Sequence, residues 1–221
     1  MGTTQLKLYN DALLLAGERA LSGLTESVET RRLLDQVWAD GGVDSCLEEG
    51  QWEFAMRAVE IDYDTTVVPP FGYNRAFSKP SDWIRTSALC SDEFFRVPLT
   101  RYFDEANYWY SDLDLIYVRY VSNDSTYGKN LDIWPQSFVE FAAAHFANKL
   151  ILKTTNDEAR RKLFDNPENP RHSIRGRALL HAKSLCASSS APQFIAQGNW
   201  TRSRTRGVNR RDGGGTSNLI G

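Results

Sequence analysis

Apolar residues recur at three- and four-residue intervals from Ser27 to Gly50: Leu33, Leu34, Val37, Trp38 and Leu47 share a stripe, while Glu29, Arg31, Arg32, Asp35, Gln36, Asp40 and Glu48 fill the positions between. That period predicts one long amphipathic helix with one side on a core and the other in water. Ser27 or Thr30 can cap its start and Gly50 can end it. Gly41-Gly42 inside it costs about 1 kcal/mol per glycine relative to alanine, so a kink is expected there. Beyond Gly50 the period shortens, with Phe54, Met56 and Ala58 alternating with Ala55, Arg57 and Val59, which predicts a strand leaving the helix. Leu34, Trp38, Trp52 and Phe54 are the expected core residues, the last two at the change of period.

The same reading places a first helix over Thr4 to Ala16, closed by Gly17, and a short apolar hook at Leu21 and Leu24. Between Phe54 and Val121 short runs of β-branched and aromatic residues are punctuated by Pro69-Pro70, Gly72, Pro80 and Pro98. The predicted strands are Phe54 to Ile61, Arg75 to Phe77, Arg85 to Leu89, Phe95 to Thr100 and Leu115 to Val121. The last carries bulk on both faces, so it is expected between two layers or against a neighbouring subunit. Tyr108-Trp109-Tyr110 is expected to fill a core or stand at a hairpin tip.

Pro135 suits the first turn of a further helix, whose Ala142-Ala143-Ala144 surface permits close packing. Thr155 or Asn156 can cap the next helix, with Asp157 and Glu158 in its first turn. Pro167 and Pro170 must interrupt that helix. Ser173 to Cys186 resumes the helical pattern through Ile174, Leu179 or Ala178, and Leu185. After Ser188 periodicity is lost apart from Phe194-Ile195 and Trp200. The expected fold is a single α+β unit. A helical bundle built from both chain ends (1–53 and 131–186) is interrupted by an antiparallel β-subdomain (54–130) and followed by an extended, basic C-terminal arm (187–221).

Composition changes this picture in one respect only, the placement of charge. Residues 187–221 hold five arginines and one aspartate, a net of +4, which leaves −6 on the preceding residues given the formal total of −2. A basic Gly/Ser-rich arm on an acidic body suggests an arm that seeks a separate acidic surface. In an extended conformation Arg202, Arg204 and Arg206 alternate to one side and can pair with carboxylates. With Phe194 and Trp200 as aromatic anchors, and Arg210 and Arg211 beyond, they are the candidate partner-binding residues. The arm is poor in apolar residues and is expected to order only on assembly.

Cys46, Cys90 and Cys186 lack the spacing of a disulfide framework or zinc site and are expected to be reduced thiols in or near the core. His145 has Phe141 at i−4 and Lys149 at i+4, so no metal-ligand pair forms on its helix. No nucleophile elbow, phosphate loop or dinucleotide fingerprint is present, and Gly213-Gly214-Gly215 lacks the Lys-Ser/Thr that phosphate cradling needs. Glu48, Glu49 and Glu53 are clustered carboxylates, but Glu48 and Glu49 stand at a helix end facing water and nothing around them marks a sugar cleft, so no hydrolytic pair is read. No catalysis, cofactor or metal is expected. No basic-then-apolar leader opens the chain, and no apolar run approaches a membrane span, so cytoplasmic synthesis is expected.

One ordered set of motifs adds a resemblance. Asn10-Asp11-Ala12-Leu13-Leu14-Leu15-Ala16-Gly17-Glu18 is followed by Leu21-Ser22-Gly23-Leu24-Thr25-Glu26, Trp52-Glu53-Phe54-Ala55-Met56-Arg57, Phe71-Gly72-Tyr73 and Lys79-Pro80-Ser81-Asp82-Trp83-Ile84-Arg85. Tyr117-Val118-Arg119-Tyr120, Trp134-Pro135-Gln136-Ser137-Phe138 and Gly198-Asn199-Trp200-Thr201-Arg202-Ser203-Arg204 complete it. In that order the chain resembles the head-to-tail adaptors, or tail tubular proteins, of short-tailed bacteriophages over nearly its whole length. The interruption at Asp165 to Pro170 departs from the family pattern. The resemblance implies a structural subunit of the virion neck, twelve of which form a ring on the portal protein. That ring would extend the channel for double-stranded DNA, without sequence-specific contact, and receive the tail nozzle protein. The other class compatible with the residues is a nucleic-acid-binding accessory protein that uses the arginine-rich arm for salt-dependent phosphate contacts.

Overall fold

A computed structural model of the chain describes residues 2–70, 72–154, 158–166 and 168–189. Helices α1 (Gln5–Ala16), α2 (Glu29–Ala39) and α3 (Gly42–Glu48) precede six strands: β1 (Met56–Asp62), β2 (Arg75–Ser78), β3 (Trp83–Cys90), β4 (Phe103–Glu105), β5 (Tyr108–Ser111) and β6 (Leu115–Ser122). Helices α4 (Gln136–Thr154), α5 (Glu158–Phe164) and α6 (Ile174–Ser189) follow. The fold is α+β.

Helix α1 is bounded as its sequence dictates. The Thr4 hydroxyl accepts from Lys7 N–H, and Gly17 takes a left-handed φ of 71° while Gly17 and Glu18 donate back to Leu14 and Leu13. The stretch after Ser27 departs from expectation: it forms two helices, not one. Gly41 adopts φ 82°, and a Cβ on Gly42 would stand 2.7 Å from the Val37 carbonyl oxygen, so the glycine pair breaks the helix. Neither Ser27 nor Thr30 caps α2; Val28 occupies that position without a side-chain bond. Arg31 instead braces the start, donating to the carbonyls of Glu26 and Leu24 and pairing with Asp35. Gly50 does not supply a left-handed cap either, since α3 ends at Glu48 with Glu49 in the right-handed region. A Cβ at Gly50 would lie 2.7 Å from the Trp52 indole, so close approach of that ring is what excludes a side chain there.

The strands form two antiparallel sheets, ordered β1-β6-β3 and β2-β5-β4. Phe77 and Trp109 from the second sheet meet Leu89, Ile116, Val118 and Tyr120 from the first in one buried cluster. β6 is central, and within the chain one of its faces is the more covered: Ile116, Val118 and Tyr120 are buried while Leu115, Tyr117 and Arg119 are half-buried, so two complete layers do not enclose it. The expected strand from Phe95 to Thr100 is a loop, tied by one bridge between Cys90 and Pro98. The Asp92 carboxylate accepts from the backbone of Arg96 and Val97, which turns the chain before a strand can extend. The aromatic run forms a hairpin strand and, as expected, fills a core, with Trp109 fully buried.

Asp82 joins β1, β6 and the start of β3. It accepts from Arg57 at 2.9 Å, from the Tyr120 hydroxyl at 3.1 Å and from Ser122 Oγ at 2.5 Å. Burial pushes its pKa up, but the hydrogen bonds from Ser122, Arg57 and Tyr120 outweigh burial and hold it below the ordinary carboxylate value. Asp82→Ala is expected to cost about 2 kcal/mol, because the Tyr120 and Ser122 donors lose their acceptor. The folded pKa being depressed, this stabilisation is complete above about pH 4 and fades as pH falls further. Urea titrations at pH 7 and at pH 3 check both statements, with a smaller acid-induced loss expected in the variant.

The second core belongs to the helices. α4 runs through its middle, and Phe138, Phe141, Ala142, Phe146, Leu150 and Ile151 are buried against α1, α2, α3, α6 and the end of α5. Trp52 lies where this core meets the sheets. It is 1% exposed, donates Nε1–H to the Cys46 carbonyl at 3.1 Å and packs edge-on to Phe138 with centroids 4.9 Å apart. Leu34 is fully buried, while Trp38 and Phe54 are half-buried against the same core. Leu185, expected on the packed side of α6, is 45% exposed. The capping positions Thr155 and Asn156, with Asp157, lie outside the described residues.

Candidate interaction surfaces

Phe194, Trp200, Arg202, Arg204, Arg206, Arg210 and Arg211 all lie outside the described residues. The candidate surfaces on the described body are three clefts of the helical bundle. The first, about 330 Å³, is an apolar groove among Trp52, Phe54, Phe138, Ala182 and Leu185, bounded by Pro135 and Ser189. The second, about 370 Å³, runs between α1, α4 and α6, with Leu14 and Leu15 beside Asp11, Glu140 and Ala178. The third, about 220 Å³, lies between α2, α3 and α4, where Val37 and Leu152 stand with Lys149, Lys153, Asp40 and His145.

Local packing explains the second and third of these. α1 turns Leu8, Ala12, Leu13 and Ala16 inward, and the two leucines beyond that stripe remain outside, Leu14 at 78% exposure. Asp11 on the same helix is half-buried, and its carboxyl is raised above the ordinary value by burial and by the charge of Glu140, against the opposing pull of Lys7. On α4, Leu152 is exposed between Lys149 and Lys153, and Lys153 donates to the Gln36 side chain at 2.7 Å.

His145 is the one buried side-chain polar group among the described residues that keeps an atom without a hydrogen-bond partner, its Nε2. Its Nδ1 faces Arg175 Nε at 3.3 Å, and Arg175 also pairs with Glu49 and, more distantly, with Asp165. Glu49 is therefore not a freely solvated acid at a helix end, as its sequence position suggests, but half-buried and paired across the bundle. Burial and the Lys149 charge lower the His145 pKa to about 4. With Nδ1 accepting from Arg175, the neutral ring carries its proton on Nε2.

A titration consequence follows from that depressed value. The unfolded chain takes up the imidazole proton near pH 6.5 and the folded one only near pH 4, so stability is full above that window and falls as pH drops through it. The expected loss reaches roughly 3 kcal/mol. Chemical denaturation at pH 7 and pH 4.5 should show it in the parent chain, and His145→Gln should remove most of the difference.

Cys46 and Cys90 are buried thiols and Cys186 is half-buried, none in a disulfide. Burial raises the Cys46 pKa to about 12, which makes it inert as a nucleophile. No group of three potential metal ligands is gathered among the described residues, and no described helix is long and apolar enough to cross a membrane. Comparison with family models and with curated proteins gives no match for the chain.

Sequence reasoning missed the α1 leucine edge and the His145 cleft. The exposed Leu14 stands inside the run Leu13-Leu14-Leu15, whose composition alone draws no line between buried and exposed leucines. The signal available was helical phase: with Ala12, Leu13 and Ala16 inward, Leu14 falls on the opposite side.

Proposed function

We propose that the chain is a ring-forming structural subunit of a bacteriophage neck, a head-to-tail adaptor that docks on the portal, extends the DNA channel and receives the tail nozzle. The observation that carries this reading is the ordered set of motifs running from Asn10 to Arg204. Its members within the described body stand at the joints of the fold. Asn10 holds Leu21 through two backbone bonds, Trp52 and Phe54 lock the helical core to β1, Asp82 ties three strands, and Trp134 donates to the Gly128 carbonyl as the chain returns to the bundle. That a sequence pattern and a set of structural joints coincide supports a shared architecture.

In this reading the work is mechanical. Each subunit contacts two neighbours head to tail, presents one end to the portal and the other to the nozzle, and catalyses nothing. The net negative body suits a channel that DNA must traverse without adhering. The arginine-rich arm also motivates the second reading, a nucleic-acid-binding accessory protein. Binding to portal rings and to duplex DNA, each measured across a salt series, separates them. Portal binding that persists while any DNA binding fades with salt is the expected result; salt-sensitive DNA binding with no affinity for the portal would favour the alternative.

A further inference from the structure

A subunit that closes a ring must carry two different surfaces that fit each other, set on opposite sides of the molecule. The second and third clefts stand in that relation. Glu140 edges the cleft on α1, and Lys149 edges the cleft on α2 and α3. Both residues belong to α4, and nine positions at about 100° each put them half a turn apart on that helix.

We infer that these two clefts are the two halves of a head-to-tail contact between copies of this chain. The α1 edge of one copy (Leu14, Leu15, Asp11 and Glu140) seats against the α4 edge of the next (Leu152, Lys149, Lys153 and His145). The inference rests on the ring reading above and adds to it the surfaces that would make the ring.

Three features favour a second copy as the occupant. The first is charge: one edge presents two carboxylates beside its apolar residues and the other presents two lysines beside its own, with Asp40 as the single acid lining the lysine side. Opposite charges framing an apolar centre bring the two in one register and disfavour like edges meeting. The second is exposed apolar surface on both sides, Leu14 at 78% and Leu152 at 46%, the kind of side chain that gains from desolvation. The third is His145, which is 5% exposed, lines the lysine-bearing cleft and has no acceptor for its Nε2–H among the described residues. A buried donor of this kind is costly unless it is served, and the edge that would face it is the one bearing carboxylates.

The test uses the full-length chain and two charge-reversal variants, Asp11→Lys/Glu140→Lys and Lys149→Glu/Lys153→Glu, examined by sedimentation and native mass spectrometry up to roughly millimolar concentration. The parent chain should self-associate with rising concentration. Each variant alone should stay monomeric, because both of its edges then carry the same sign. An equimolar mixture of the two should recover assembly, since each variant now complements the other. Circular dichroism and thermal melting identical to the parent would show that a monomeric variant is folded. Self-association of either variant at the parent's strength would overturn the inference, as would a parent chain that remains monomeric throughout or a mixture that fails to assemble. Twelve copies on the portal despite unchanged assembly of the variants would reject these surfaces while leaving the ring reading intact; failure of portal binding with the mixing result obtained would do the reverse.

Discussion

Truncating Trp52 to alanine is expected to lower the stability of the chain by about 3–5 kcal/mol, the range for removing a buried tryptophan from a packed core. The indole is 1% exposed and touches Phe54, Phe138 and Phe141, so its removal strips one partner from every ring in that cluster. Its Nε1–H also serves the Cys46 carbonyl at 3.1 Å, an acceptor left buried and unpaired in the variant. The void would open between the helical core and β1, the seam that joins the bundle to the sheets, so little can collapse into it. Urea unfolding monitored by far-ultraviolet circular dichroism measures the loss directly. A Trp52→Ala chain that unfolds at the parent's midpoint would show that the seam contributes nothing. Gly50→Ala probes the same contact from the other side, since the added methyl group would press on the ring.

Deleting the residues after Ser190 is expected to leave the folded body as stable as before while abolishing attachment to the portal. Residues 1–189 form one compact unit by their internal contacts, and all of the helices and strands described above fall within it. The deleted segment holds Phe194, Trp200 and five arginines, the residue types that carry most of the energy at interfaces. Melting curves of the shortened and full chains should superimpose, whereas capture of the shortened chain by portal rings should fail. Capture at normal yield would move the docking surface onto the helical bundle.

Much of this architecture was legible in the sequence because local chemistry and global fold agree over most of it. Thr4 and Gly17 bound α1, and Pro135 precedes α4, since capping and proline geometry act within a few residues. β6 was readable from its run of alternating bulk, and the register of β1 against β6 follows that alternation. The errors have equally local causes. Gly41-Gly42 interrupts an otherwise continuous stripe, and whether a glycine pair kinks or ends a helix depends on how closely the Val37 carbonyl and Phe146 approach, which no pattern encodes. The segment from Phe95 to Thr100 has strand composition, but Asp92 captures its amides and turns it into a loop with Phe94 and Val97 outside. Glu49 looked solvated because its partner Arg175 lies far along the chain on α6. The candidate interaction surfaces were the least legible part, because helical phase sets Leu14 outside the α1 stripe but does not say which elements stand beside it, and Leu152 lies on a helix buried over most of its length.

The mass of the complex formed between this chain and the portal ring tests the central claim most directly. Twelve copies on each portal ring, bound stably enough to survive native mass spectrometry, is the result the adaptor reading predicts. No association with the portal, or a ring of another symmetry that the free chain forms by itself and keeps in the portal's presence, would contradict it.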